Sequence, residues 1–434
     1  MKYLKQILYE MRHQRMMTWV SIGGTALSIF LVMAYFMSER INSVEVAPVS
    51  ERGRMLYGTG IHLRSTDPNA NNEGSAGLSR QAADEIYSGL EGIETMSKML
   101  WFPDTYNIGA PNEEAIAAPA QMTDENYWKV FDFTFLYGHP FDKASVDAGE
   151  KILVLTRSLA RRIFKAEDVV GREVQVNYIS YRVVGVVDDV PPMFQGANAD
   201  MIMPMKDSNF SWNSEGPMSA CGQLQVVMLM KPGVTRDDIA RQVKARYATM
   251  TERLKDESVE TVYHEQPYTA ETVASTDFGS NSSPDTSQAD ITRWFVYSIL
   301  LLLPAINLSS MTRSRLRHRV SEIGVRRAFG ASKWSIVRQM LSENLIITVI
   351  GGFIGLVASF LFMWLVSDFF FDFGGNVFTE MPTVAKPTFE MLFSWQAFVV
   401  ALIFCFALNL VSAFVPSWSA SRVNPAVAIS KVRS

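Results

Sequence analysis

The segment NLIITVIGGFIGLVASFLFMWLVS (344–367) runs for 24 residues without a charged side chain. As a helix rising about 1.5 Å per residue it reaches about 36 Å, enough to cross a hydrocarbon layer of about 30 Å. Buried core helices usually stop at about 10 to 14 residues. Three other stretches, 16–37, 294–312 and 391–421, are also free of charge. The averages alone, 48% hydrophobic and 19% charged, would fit a rich globular chain, so the distribution decides. Four transmembrane helices are expected, at 16–37, 294–312, 344–367 and 395–417.

Basic residues set the orientation. Lys2, Lys5, Arg12 and Arg15 precede the first span; Arg313, Arg315, Arg317, Arg319, Arg326, Arg327, Lys333 and Arg338 lie between the second and third; Arg422, Lys431 and Arg433 follow the fourth. Those segments are expected in the cytoplasm. Residues 38–293 hold 24 Lys plus Arg against 37 Asp plus Glu, a net of 24 − 37 = −13, and are expected outside, as is the loop 368–394. Both termini are then cytoplasmic, the tail being 418–434. Ser38-Glu39-Arg40 offers no small-residue cleavage site, so the first span is expected to remain as an anchor. Residues 1–15 place Leu4, Ile7, Leu8 and Met11 on one helical face. That pattern suits either an amphipathic helix on membrane lipid or a cytoplasmic extension of the first span.

The fold class expected is an α+β membrane protein with a large extracytoplasmic α/β domain between helices 1 and 2. Within it, 57–65 reads as a strand, 78–90 as an amphipathic helix and 94–102 as a second strand. Residues 223–230 repeat the strand, Thr235 caps a helix running to about Arg253, and 259–264 is a further strand. Two βαβ-like units thus flank an insertion, about 105–219, whose β-rich part is EVQV (173–176) and YRVVGVV (181–187). A Ser, Asp, Asn and Gly-rich linker, 275–290, leads back to the membrane.

The cytoplasmic segment 313–343 is the most informative for function. Glu322 and Arg326 are spaced i, i+4 in the favourable order. Gly330 can end that helix and Ser332 can cap the next, which continues into the third span. This makes a helix–break–helix elbow, read either as a basic topology anchor or as a docking elbow that passes motion to the spans.

The run EIGVRRAFGASKWSIVRQMLSENLIITVIGGFIGL (322–356) resembles the signature of the MacB/FtsX superfamily of ABC transporter permeases, the type VII or mechanotransmission systems. LTRSLARRIF (155–164), VGR (170–172) and YRVVGVV (181–187) resemble that family's MacB-like periplasmic core domain, and 416–429, with RVNPA (422–426), its C-terminal segment. The resemblance implies a coupling helix around 319–329 seated in a groove of an ABC ATPase subunit. Glu322, Gly324, Arg326, Arg327, Gly330 and Ala331 stand where the motif has its characteristic residues. It also implies a second permease chain, identical or related, a periplasmic adaptor and an outer-membrane channel as partners, with no nucleic acid. The location implied is a bacterial inner membrane, and the activity is export or extraction of peptides, antibiotics or lipoproteins. A same-family alternative is an FtsX-like regulator of a cell-wall hydrolase; one from another class is a membrane sensor receptor.

No G-x-x-x-x-G-K-[ST] phosphate loop occurs, so the chain is not expected to be an enzyme; ATP and Mg belong to the partner ATPase. Cys221 and Cys405 fall in different compartments and are not expected to pair. Gly351 and Gly355 form a G-x-x-x-G spacing, and Gly24 with Ser28 a related pair, both suited to close helix packing. The histidines His13, His62, His139, His264 and His318 show no metal-ligand spacing, so no metal site is expected from the sequence.

Overall fold

The computed structural model describes residues 15–41, 44–67, 73–191, 194, 196–205, 217–274, 287, 290–299, 302, 325, 329–374, 395, 396, 398–400, 402–404, 406 and 407. These fall into two compact units, one of Met1–Ile41, Asp290–Val366 and Thr388–Ser434 and the other of Asn42–Ala289 with Ser367–Pro387.

The first element is α1 (Arg15–Ile41). The outer unit then opens with β1 (Met55–Gly58), β2 (Ile61–Ser65), β3 (Glu73–Leu78), α2 (Arg80–Tyr87) and β4 (Ile93–Leu100). The insertion contains β5 (Asp104–Gly109), β6 (Ile116–Thr123), α3 (Tyr127–Val130), β7 (Phe135–Gly138), α4 (Lys143–Ala148), β8 (Ile152–Thr156), α5 (Arg157–Phe164), β9 (Glu173–Val176), β10 (Ile179–Val187) and β11 (Met201–Pro204). The chain returns through β12 (Cys221–Gly222), β13 (Leu224–Met230), α6 (Arg236–Leu254), β14 (Val259–Thr261), β15 (Tyr268–Thr269) and α7 (Ala270–Ala274).

The two expected βαβ-like units are present but interleaved. Strand β13 lies antiparallel to both β1 and β4, so the first unit's parallel strands are separated by a strand of the second. In turn β14 pairs antiparallel with β2, which places the first unit's leading strand between the two strands of the second. Interleaving pairs more strand edges and lets both helices share one core. Ala82, Ala83, Ile86 and Tyr87 of α2 meet Ile239, Val243, Tyr247, Met250 and Leu254 of α6 over Leu224, Val226, Met228 and Met230 of β13. Strand β13 is buried along its whole length, as expected of a central strand covered on both faces.

Helix α6 begins where the sequence places it, with a capping box between Thr235 and Asp238. Helix α2 is shorter than the expected 78–90. Ser79 accepts the Ala82 N–H at 3.1 Å, so Leu78 belongs to the preceding strand and the helix starts at Arg80. The expected strand 57–65 is broken at Thr59-Gly60. There the Gln266 side chain takes over the ladder: its Oε1 accepts from Thr59 N–H at 3.1 Å and its Nε2 donates to the Gly60 carbonyl at 2.9 Å.

The insertion closes on itself. Strands pair in the circuit β6–β5–β9–β10–β8–β11–β6, a six-stranded ring with parallel contacts at β8–β10 and β6–β11. Its interior is filled by Ile108, Ala118, Ala120, Leu153, Leu155, Val174, Val176, Val183, Val186, Met201 and Met203. Four of these, Val174, Val176, Val183 and Val186, lie in the two stretches that the sequence marks as β-rich.

In the membrane-type unit, two described helices carry windows long and apolar enough to cross a bilayer, Thr18–Met37 in α1 and Leu345–Val366 in α8 (Lys333–Gly374). Helix α8 runs beyond the expected loop boundary at 368. Its sequence there, DFFFDF, contains no glycine or proline before Gly374. The described residues of the other two expected spans are helical, and their remainder lies outside the described residues, as do 1–14 and 375–394. The Gly351/Gly355 spacing packs within the chain, against α1. A Cβ on Gly355 would stand 2.5 Å from the Ala26 carbonyl oxygen, and one on Gly351 would stand 2.9 Å from Thr25 Cβ. Only glycine admits that approach. Phe30 and Phe362 complete the seam edge-to-face, centroids 5.3 Å apart. The Gly24 carbonyl accepts from Ser28 Oγ at 2.8 Å.

Candidate functional site

Of the six coupling residues expected from the sequence, Gly330 and Ala331 are described; Glu322, Gly324, Arg326 and Arg327 lie outside the described residues. Around Gly330 the elbow is well defined. Phe329 N–H donates to the Val325 carbonyl at 3.1 Å, a helical i→i−4 bond that ends the incoming turn. Gly330 then takes φ +90°, where an L side chain is strained, and among the described residues nothing crowds the space a Cβ would fill. The glycine is therefore required by backbone conformation. Ser332 Oγ accepts the Ser335 N–H at 3.1 Å and caps α8.

The elbow presents aromatic surface. Phe329 is 89% exposed and Trp334 61%, with Val325 also exposed, while Ile336 and Val337 one turn further on are buried. Sequence reasoning centred on the charged residues and did not single out these two aromatics. The signal was available: large apolar side chains on either side of a glycine break in a basic segment, where solvation favours neither. Exposed aromatics of this kind mark contact surfaces.

The core-domain motif at 155–164 has a structural role in this chain. It forms the corner from β8 into α5, where Thr156 caps the helix. Asp189 fastens it from the end of β10, accepting from Ser158 N–H at 2.9 Å and Ser158 Oγ at 2.7 Å, with the Arg157 guanidinium 3.6 Å away. Asp200 nearby is held above the usual carboxylate range by burial, opposed by Arg162.

Among the described residues, one group of side chains has the donor set and spacing to hold a metal ion: His62, Glu73 and His264. Cys221 is a free, buried thiol whose pKa is pushed up by burial, which does not favour thiolate chemistry.

Two family models match the chain: the MacB-like periplasmic core domain over residues 18–246 and the FtsX-like permease C-terminal region over 294–425. The macrolide export ATP-binding/permease protein MacB 1 of Yersinia pestis is 24% identical over 317 residues, covering 73% of this chain and 44% of the relative. The chain thus spans less than half the length of the MacB relatives it matches. The ABC transporter permease YknZ of Bacillus subtilis is 21% identical over 375 residues, covering 85% of this chain and 83% of the relative. Among solved structures, the periplasmic region of MacB from Actinobacillus actinomycetemcomitans is similar at 17% identity and a TM-score of 0.35, covering 52% of this chain and 93% of that one.

Proposed function

Since this chain belongs to the MacB/FtsX-type family of ABC transporter permeases, and is thereby a membrane-embedded permease component of an ABC system, we propose that it works by mechanotransmission. In this reading the elbow seats in an ABC ATPase subunit, which binds ATP and Mg, and the chain pairs with a second permease. Four spans then carry the ATPase stroke to the periplasmic domain, for export or extraction of peptides, antibiotics or lipoproteins. The macrolide export named for the MacB relatives makes small antibiotics the first cargo to test.

One observation supports this reading above the others. The capped start of α8 at the elbow, its apolar window and its far end form a single helix of 42 residues, about 63 Å long. A helix without an internal break moves as a rod, so displacement at Ser332 is not absorbed before the membrane window. The exposed Phe329 and Trp334 give the partner something to grip.

The test is affinity purification from detergent-solubilised native membranes, with co-purifying proteins identified and ATPase activity assayed. The wild type is expected to bring down a P-loop ATPase, and Glu322→Arg with Arg326→Glu to lose it while remaining inserted. Phe329→Ser, a surface change expected to alter stability by less than about 0.5 kcal/mol, should reduce recovery several-fold. Retention of the ATPase by both variants at wild-type levels would remove the elbow from the mechanism.

A further inference from the structure

The outer domain brings together two histidines that lie 202 positions apart in sequence. His62 sits in β2, opposite Ser75 of β3, and its carbonyl accepts the Val262 N–H just beyond β14 at 2.9 Å. Glu73 stands two residues from Ser75 along β3, and His264 two residues beyond Val262. Strand side chains alternate between faces, so these diagonal positions project to the same side as His62. The imidazoles meet edge-to-face with centroids 4.3 Å apart. One ligand atom from each of His62, Glu73 and His264 lies within 4.8 Å of the other two.

We propose that His62, His264 and Glu73 form a binding site for a divalent transition-metal ion, Zn²⁺ by its donor set, on the outer domain. Two imidazoles and a carboxylate are a zinc set that leaves a fourth position open for water or a partner's group. In a tetrahedral site with bonds of about 2.0–2.1 Å, donor atoms sit about 3.3 Å apart, so the cluster closes on an ion by side-chain rotation of an ångström or so.

Three features favour an ion over ordinary core packing. His62 is only 9% exposed, yet its Nδ1 is buried without a hydrogen-bond partner. A buried ring nitrogen left unsatisfied is costly, and a metal bond would satisfy it. Second, the imidazole of His264 stands against that of His62, so that a nitrogen of each ring and an oxygen of Glu73 come within 4.8 Å of one another. Third, the surrounding charge is negative. Arg64 is shared between Glu73 at 3.2 Å and Glu260 at 3.5 Å, leaving one net negative charge among the three. Arg64 holds Glu73 through Oε1, which orients the carboxylate and leaves Oε2 for the ion. An ion there would tie β3 to the segment after β14 across β2, whatever the ATPase or cargo of the protein.

The full chain, purified in detergent without a histidine tag and stripped with EDTA, is titrated with ZnCl₂ against a fluorescent zinc chelator, and separately with Co²⁺. One equivalent of Zn²⁺ per chain and the visible absorption of tetrahedral Co²⁺ are expected. Glu73→Gln, at an exposed strand position, should keep the circular dichroism of the wild type and weaken Zn²⁺ binding at least about tenfold. His264→Gln should abolish the Co²⁺ spectrum. Failure of the wild type to bind a stoichiometric ion, or equal titration of wild type and both variants, would overturn the proposal and leave His62 and His264 as a packed pair.

Discussion

Replacing Gln266 by methionine tests how the outer domain tolerates its broken strand. The side chain is buried and makes three hydrogen bonds: Oε1 accepts from Thr59 N–H at 3.1 Å and from Tyr87 Oη at 2.9 Å, and Nε2 donates to the Gly60 carbonyl at 2.9 Å. Methionine has nearly the same length and volume but supplies none of them. Gly60 keeps a second donor, Tyr247 Oη at 3.2 Å, and the Tyr87 hydroxyl keeps Tyr247 as a neighbour, so neither is wholly stranded. At about 1 kcal/mol for each lost bond the cost is about 3 kcal/mol, of which apolar burial of methionine returns a part. A net loss of about 2–3 kcal/mol lowers the melting of a domain this size by roughly 5–10 °C. Amide exchange followed by mass spectrometry over residues 56–63 should quicken more than tenfold, because among the described residues the Thr59 amide donates only to Gln266. A melting shift under about 2 °C with unchanged exchange would refute the assignment of Gln266 as a substitute ladder.

Two further outcomes follow from named contacts. Asp124 is buried, which pushes its carboxyl up to about 6 despite hydrogen bonds from Lys98 N–H and Ser97 Oγ, both 2.8 Å. A folded pKa above the unfolded value means the native state binds the proton more tightly; stability from this group is full below about pH 4 and is lost as pH rises through about 6. Asp124→Asn should therefore be less stable than wild type by a margin that narrows between pH 4.5 and 7, seen in paired melting curves; a constant margin would count against the shift. In the membrane unit, Gly355→Ala places a methyl 2.5 Å from the Ala26 carbonyl, so α1 and α8 must separate. A loss of about 1–3 kcal/mol, read as earlier thermal denaturation in detergent, is expected, and wild-type melting would show that the seam yields freely.

The parts of the fold legible in the sequence were those governed by local chemistry. Thr235 with Asp238, Ser332 ahead of Lys333, and the charge-free run after Asn344 each carry their signal within a few residues, because a cap or a membrane window is satisfied by neighbours in the chain. The α6 helix and the elbow break at Gly330 accordingly stand where they were expected. What the sequence did not disclose was pairing between distant strands. Nothing local to β13 says that it will lie between β1 and β4, or that β11 will return to β6 and close a ring, since those choices are settled by which edges remain unpaired once the whole chain has collapsed.

The histidine cluster shows the same rule at the level of a site. A search by spacing finds ligands that share a helix or a hairpin, as in H-E-x-x-H, because there the chain itself fixes the distance between donors. His62 and His264 are brought together by sheet register alone. Register is set by the hydrophobic face: Ile61 and Leu63 point into the core with Leu224 and Val226, which forces His62, between them, to the opposite side. Once β14 pairs with β2 by the match of Glu260 to Arg64 and Thr261 to Leu63, the position of His264 follows. A one-residue slip of β14 would turn His264 away from His62 while leaving its own strand pattern intact. The metal site is therefore a readout of the interleaved fold: Val262→Pro, which removes the N–H that the His62 carbonyl accepts at 2.9 Å, should lower Zn²⁺ stoichiometry even though no ligand is changed. Undiminished binding in that variant would show that the ligands find each other without β14.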